Sequence, residues 1–60
     1  MRLQLNGEAR EVKDGATVRD LLDALSVRTD AVAVERNRTS VRRRDFDTTR
    51  LEPGDAVEVV

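Results

Sequence analysis

Apolar residues recur along this chain with two spacings. Between Thr17 and Leu25, TVRDLLDAL, Val18, Leu21, Leu22 and Leu25 stand at i, i+3, i+4 and i+7, which puts them on one stripe of an α-helix and turns Arg19, Asp20 and Asp23 away. Thr17 precedes the first turn, where its hydroxyl can accept a backbone N–H. Asp20 can return that bond and lies near the positive end of the helix dipole. Asp14-Gly15 supplies the turn into the helix. No other segment has helical spacing, so the remaining residues must build the surface that this stripe covers.

Elsewhere the spacing is two. Met1, Leu3 and Leu5 alternate with Arg2 and Gln4, as in a half-buried strand. Asn6-Gly7 follows, a dipeptide suited to a type I′ hairpin because both residues tolerate positive φ. Glu8 to Val12 then reads as the returning strand, anchored inward by Val12, with Arg10 near the rim. Ala31 to Glu35 is predicted as a further strand, with Val32 and Val34 on one face and Ala31, Ala33 and Glu35 on the other. A turn at Asn37-Arg38 leads to a short strand about Ser40-Val41. Arg42 to Arg50 has no clean period and reads as irregular or 3₁₀ structure, with Phe46 plugging the edge of the core. Leu51 resumes the core, Glu52-Pro53-Gly54-Asp55 is a turn by composition, and Ala56 to Val60 closes as a strand with Val57 and Val59 inward.

A hairpin, a crossover helix and further strands predict an α+β fold, a mixed sheet of four to five strands packed on one helix. If the first and last strands lie parallel at the centre, the architecture is a β-grasp roll. Sixty residues make one small domain, 1–60, whose size leaves only about 60% of the unfolded surface to be buried. The chain has no cysteine and no histidine, so disulfides, ordinary zinc, haem or iron–sulfur sites, and thiol or imidazole catalysis are excluded. Eleven basic and twelve acidic side chains give a net charge of -1, which does not make the whole molecule a trap for nucleic acid or acidic lipid. No apolar run is long enough to span a membrane and no signal-peptide core precedes the first strand, so the expected compartment is the cytoplasm.

Candidate chemistry is sparse. Arg36, Arg38, Arg42, Arg43 and Arg44 form the most basic stretch, with Arg50 close by. They read first as a solvated face balanced by Glu35, Asp45 and Asp47, and second as a docking surface for an acidic partner or for phosphates. Stacking on single strands needs aromatic groups, and Phe46 is the only one. Asp20 with Asp23, and Asp45 with Asp47, are paired carboxylates, but capping and solvation account for them without acid–base work. Thr48 and Thr49 have no partner base in the sequence.

Taken together, LQLNGEAREV, DGATVRDLL, AVAVERN and RRDFDTTRLEPGDAVEVV resemble the ThiS-type sulfur carriers of thiamin biosynthesis, which are ubiquitin-like β-grasp proteins. The resemblance runs from Met1 to Val60. Members typically carry valine-proline-arginine, an aromatic residue three positions after the arginine, then leucine and a Gly-Asp turn before the last strand; those features fall on Val41, Arg43, Phe46, Leu51, Gly54 and Asp55. Arg42 replaces the proline. Arg38 replaces the glycine often found after the asparagine, which imposes a left-handed arginine at about 1 kcal/mol or a different turn.

The resemblance implies a carrier and not an enzyme. It implies a flexible Gly-Gly tail whose end an adenylating, E1-like enzyme activates with ATP, converts to a thiocarboxylate, and presents to thiazole synthase. Glycine is required because the tail threads a narrow channel where a Cβ would collide. The sequence reads only to Val60, several residues short of such an end, so the thiocarboxylate would follow Val60; the expectation is that a tail has been omitted or removed. No cofactor is expected on the body itself, with ATP used by the activating partner. Arg43 and Phe46 are expected to hold the fold. If Val57 and Val59 point inward, Ala56, Glu58 and Val60 point outward, and Ala33 shares their face; small and apolar groups beside charges form a modest docking surface. Two alternatives remain: the small subunit of molybdopterin synthase, which is usually longer, and a non-catalytic β-grasp module that binds protein or RNA.

Overall fold

Asn6 and Gly7 take φ of 50° and 85°, the two left-handed residues of the tight turn that Asn-Gly favours. They join β1 (Arg2–Leu5) to β2 (Glu8–Glu11) in antiparallel register, with Leu5 opposite Glu8 and Arg2 opposite Glu11. The computed structural model describes every residue from Met1 to Val60. After β2 come helix α1 (Val18–Ala24), a 3₁₀ turn (Thr29–Ala31), β3 (Val34–Arg36), β4 (Thr39–Val41), a second 3₁₀ turn (Arg43–Asp45) and β5 (Ala56–Val59). The strands form one sheet in the order β2-β1-β5-β3-β4. β1 and β5 are parallel and the other pairs antiparallel. The first and last strands thus lie together at the centre of the sheet, as the β-grasp reading requires.

Seven residues are too few for an independent helix, so α1 depends on its ends and on its packing. The Asp20 N–H donates to Thr17 Oγ1 at 3.2 Å and the Thr17 N–H to Asp20 Oδ2 at 3.0 Å, the expected capping box. The segment before β5 completes the cap. Its carbonyls accept the two preceding free donors, Val18 N–H to Thr49 O and Arg19 N–H to Phe46 O, both at 3.0 Å. At the other end Ser26 sits at φ 58°, and the Val27 N–H reaches back to Leu22 O at 3.3 Å while the Ser26 N–H reaches Asp23 O at 3.1 Å. This is a Schellman closure with serine where glycine is usual.

Val18, Leu21 and Leu22 are buried and Leu25 half-buried, so the stripe faces the sheet as its spacing predicts. With Leu3, Val34, Phe46, Leu51 and Val57 the three helical residues make one continuous apolar core. Truncating a fully buried leucine such as Leu22 to alanine costs about 2–5 kcal/mol by lost burial and the cavity left behind. Phe46 plugs the core edge at 3% exposure.

The strand predicted over Ala31–Glu35 is displaced. Ala31 belongs to a 3₁₀ turn and β3 starts only at Val34. The cause is bonding at that turn, part of it local and part from Arg43. The Ala31 N–H donates to Arg28 O at 3.1 Å, Arg28 forks onto Asp30 at 3.1 and 2.8 Å, and Arg43 donates to Thr29 O and Asp30 O at 3.1 and 3.4 Å. Strand-like pairing nevertheless extends to Ala33, whose N–H and carbonyl exchange two 2.9 Å bonds with Val60. Arg38 adopts φ 70° beside Asn37 at 51°, so the second hairpin turn repeats the geometry of the first with arginine in place of glycine.

Candidate functional site

Two regions bear on function: the outward face of the sheet, and the end of β5 where the chain leaves it. Along β5, Val57 is buried and Val59 half-buried, while Ala56 and Glu58 are exposed and Val60 is 86% exposed. The pleat therefore puts Ala56, Glu58 and Val60 on the outer face. Ala33 pairs with Val60 and is exposed beside it. The four residues singled out for partner binding are thus brought together on one face. Glu35 stands directly opposite Glu58 across β3 and β5, and Gln4 opposite Ala56 across β1 and β5.

The backbone of β5 is bonded on both sides to its last residue. Toward β1, the Gln4 N–H donates to Asp55 O at 2.8 Å and the Asn6 N–H to Val57 O at 2.9 Å. Beyond them β1 has turned away, and the Asn6 side chain takes over: the Val59 N–H donates to Asn6 Oδ1 at 2.9 Å and Asn6 Nδ2 donates to Val59 O at 3.2 Å. Toward β3, the Asn37 N–H donates to Ala56 O at 2.7 Å, and Val60 is bonded to Ala33.

Just before β5 lies a buried carboxylate that composition alone placed in a turn. Asp55 is 7% exposed. It accepts from Arg36 Nε at 2.7 Å, from the Glu52 N–H at 2.8 Å and from Asn37 Nδ2 at 3.1 Å. Burial pushes its carboxyl upward, but the Glu52 N–H together with Arg36 and Asn37 outweighs that and holds it below the ordinary carboxylate value. The Ala56 N–H in turn donates to Asn37 Oδ1 at 2.9 Å. Asp55 therefore joins the 52–55 turn, the β3–β4 hairpin and the start of β5. No sequence signal near Asp55 marks this, because both side-chain donors come from a segment some twenty residues earlier.

The arginine-rich stretch does not act as one patch. Arg36 is committed to Asp55, Arg43 to the carbonyls of Thr29 and Asp30, and Arg50 to Gly15 O at 2.9 Å. Arg38, Arg42 and Arg44 are exposed. An open polar groove of about 560 Å³ runs between Arg36, Arg42, Ser40 and Thr48. The hydroxyls of Thr48 and Thr49 there are turned onto Asp45 O at 3.3 and 2.7 Å, which leaves no nucleophile beside a base. Asp20 is used by the helix cap, and Asp23 and Asp47 both reach Arg19, at 3.4 and 3.3 Å. No helix is long and apolar enough to cross a membrane.

A single helix laid on a five-stranded mixed sheet, with the parallel first and last strands at its centre, defines a small β-grasp protein. The ThiS family model matches residues 3–60, and the chain belongs to the ThiS family. The crystal structure of the thiamine biosynthesis protein ThiS from Geobacter metallireducens superposes with a TM-score of 0.91 at 38% identity, over all of this chain and 91% of that one. The solution structure of a Geobacter metallireducens thiamine biosynthesis protein gives 0.85, again at 38% identity, over 81% of its chain. Among curated relatives, the thiazole synthases of Magnetococcus marinus and Paramagnetospirillum magneticum are each 38% identical over 60 residues. The chain spans only 18% of the length of each of those two proteins.

Proposed function

We propose that this chain is the body of a sulfur carrier for thiazole formation in thiamin biosynthesis. A Gly-Gly tail following Val60 is adenylated by an E1-like enzyme, which uses ATP and releases pyrophosphate. A sulfur nucleophile then displaces AMP, leaving a thiocarboxylate that delivers sulfur to thiazole synthase. The body supplies no catalytic group and holds no cofactor of its own. Ala33, Ala56, Glu58 and Val60 form the docking face, a small-residue surface that a partner can approach closely.

The observation that carries this reading is the position of Val60. It is the first residue past a strand held at the centre of the sheet, and its backbone pairs with Ala33 on the docking face. A tail leaving there departs beside the surface that a partner would cover. The likeness of the whole chain to part of two thiazole synthases fits a carrier that works with such an enzyme.

The test is the intact mass of the chain expressed from its native reading frame, read past Val60, after mixing with its activating enzyme, ATP and a sulfur source. Gain of the mass difference of sulfur for oxygen at a Gly-Gly end is the expected result. A native chain whose end is not Gly-Gly, or whose mass does not change, eliminates the carrier.

A further inference from the structure

Type I′ turns need only positive φ at their two central positions, and glycine meets that need with no side chain at all. Both turn asparagines here have their side chains engaged with the same distant strand. Asn37 accepts the N–H of Ala56 where β5 begins, and Asn6 binds both backbone groups of Val59 where β5 ends. Alternation explains the second contact. The 55, 57 and 59 backbone groups face β1, yet β1 stops at Leu5, so Val59 would have no partner on that side without the Asn6 carboxamide, which stands in for one more residue of β1.

We propose that Asn6 is a positioning residue for the tail: with the backbone of Ala33 on the other side, it ties the end of β5 into the sheet at Val59 and Val60. This rests on the carrier reading for its purpose, though not for its geometry. Two residues released from β5 would have to be ordered again each time the tail entered a partner's channel. Fixing one residue's backbone carries an entropic cost that converts to roughly a tenfold loss in rate, so at least about tenfold is expected for the pair.

The variants are Asn6→Gly, which keeps the turn and removes the side chain, and Asn6→Asp, which keeps the acceptor but sets a carboxylate oxygen against Val59 O. Asn37→Gly, which frees the opposite end of β5, serves as the control for general loss of stability. Amide hydrogen exchange on this chain should speed up about tenfold at Val59 and Val60 in Asn6→Gly and less in Asn6→Asp, which keeps the acceptor for the Val59 N–H, with core amides such as Leu22 unchanged. In the native-frame protein, the rate of ATP-dependent activation at saturating activating enzyme should fall about tenfold in Asn6→Gly with its affinity for that enzyme unchanged, and stay within twofold in Asn37→Gly. Unchanged exchange at Val59 in Asn6→Gly overturns the clamp. Faster exchange with unaltered activation, or an equal loss in Asn37→Gly, overturns the positioning role. If the unaltered protein is not activated at all, the carrier reading and the positioning role fail together, while the exchange comparison still reports the clamp.

Discussion

Glu35 and Glu58 face one another directly across β3 and β5, both exposed and neither in an ion pair. Opposed like charges at such a position weaken a sheet, and here they sit at the centre of the outer face. Neutralising one of them should stabilise the body. Glu58→Gln is expected to raise Tm by about 1–3 °C at low ionic strength, with the gain shrinking as salt screens the pair. Thermal unfolding at two salt concentrations checks this.

The buried network at Asp55 gives the largest expected loss from a single polar change. Asp55→Ala leaves Arg36 without its partner and removes the acceptors of Asn37 Nδ2 and the Glu52 N–H. A cost of about 2–3 kcal/mol is expected, reduced from that of a fully buried pair because Arg36 keeps partial contact with water. Denaturant unfolding measures it, and Arg36→Met should cost less because it leaves the Glu52 and Asn37 donors in place.

Acid should unfold the protein through a small set of carboxylates. Asp55 is held below its ordinary 3.8. So are Asp20, by the Thr17 N–H, Asp30, by Arg28, and Asp14, by the terminal amine. A carboxyl depressed in the folded state binds its proton more readily in the unfolded chain. Its contribution is therefore complete above 3.8 and drains away as pH falls through the lower folded-state value. Stability should be flat from neutral pH down to about 5 and decline steeply below about 4, and Asp55→Asn should flatten that decline. Chemical denaturation across this range is the measurement.

Two of the four non-glycine residues at left-handed positions mark sites where the chain can be improved. Ser26 closes the helix at φ 58° and Arg38 closes the second hairpin at 70°. Replacing either by glycine is expected to stabilise by about 0.5–1 kcal/mol, the relief of strain exceeding the entropy lost on folding. Equilibrium unfolding of Ser26→Gly and Arg38→Gly, singly and together, checks the sign and the additivity.

Docking through the outer face predicts a separation of stability from binding. Ala33→Arg adds a long charged side chain beside Val60 without touching the core. It should leave Tm within about 2 °C, as for most exposed substitutions. Affinity for the adenylating enzyme, measured by titration calorimetry, should fall at least about tenfold, the expected penalty for forcing bulk into a close-packed contact. An unchanged affinity removes this face from the interface.

Local chemistry made much of this legible. Helical spacing and the Thr17–Asp20 box located α1, Asn6-Gly7 located the first hairpin, and alternation sorted Val57 and Val59 inward from Ala56, Glu58 and Val60. Interactions between distant parts of the chain were hidden. Ala31 left the predicted strand because Arg43, twelve residues further on, binds the carbonyls just before it. Asp55 looked like turn punctuation because nothing adjacent announced Arg36 and Asn37. The irregular stretch before β5 had no period, since its task is to offer the carbonyls of Phe46 and Thr49 to the helix N-terminus. Asn6 and Asn37 were readable as turn formers, whereas the use of their carboxamides depends on where β5 passes.

The parallel pairing of β1 with β5 also decides how the molecule responds to load. Tension applied at the end of β5 runs along the strand and is shared at once by its bonds to Gln4 and Asn6 on one flank and to Ala33 and Asn37 on the other. Those bonds must shear together and cannot be peeled one at a time, so load along β5 does not unravel the body behind it.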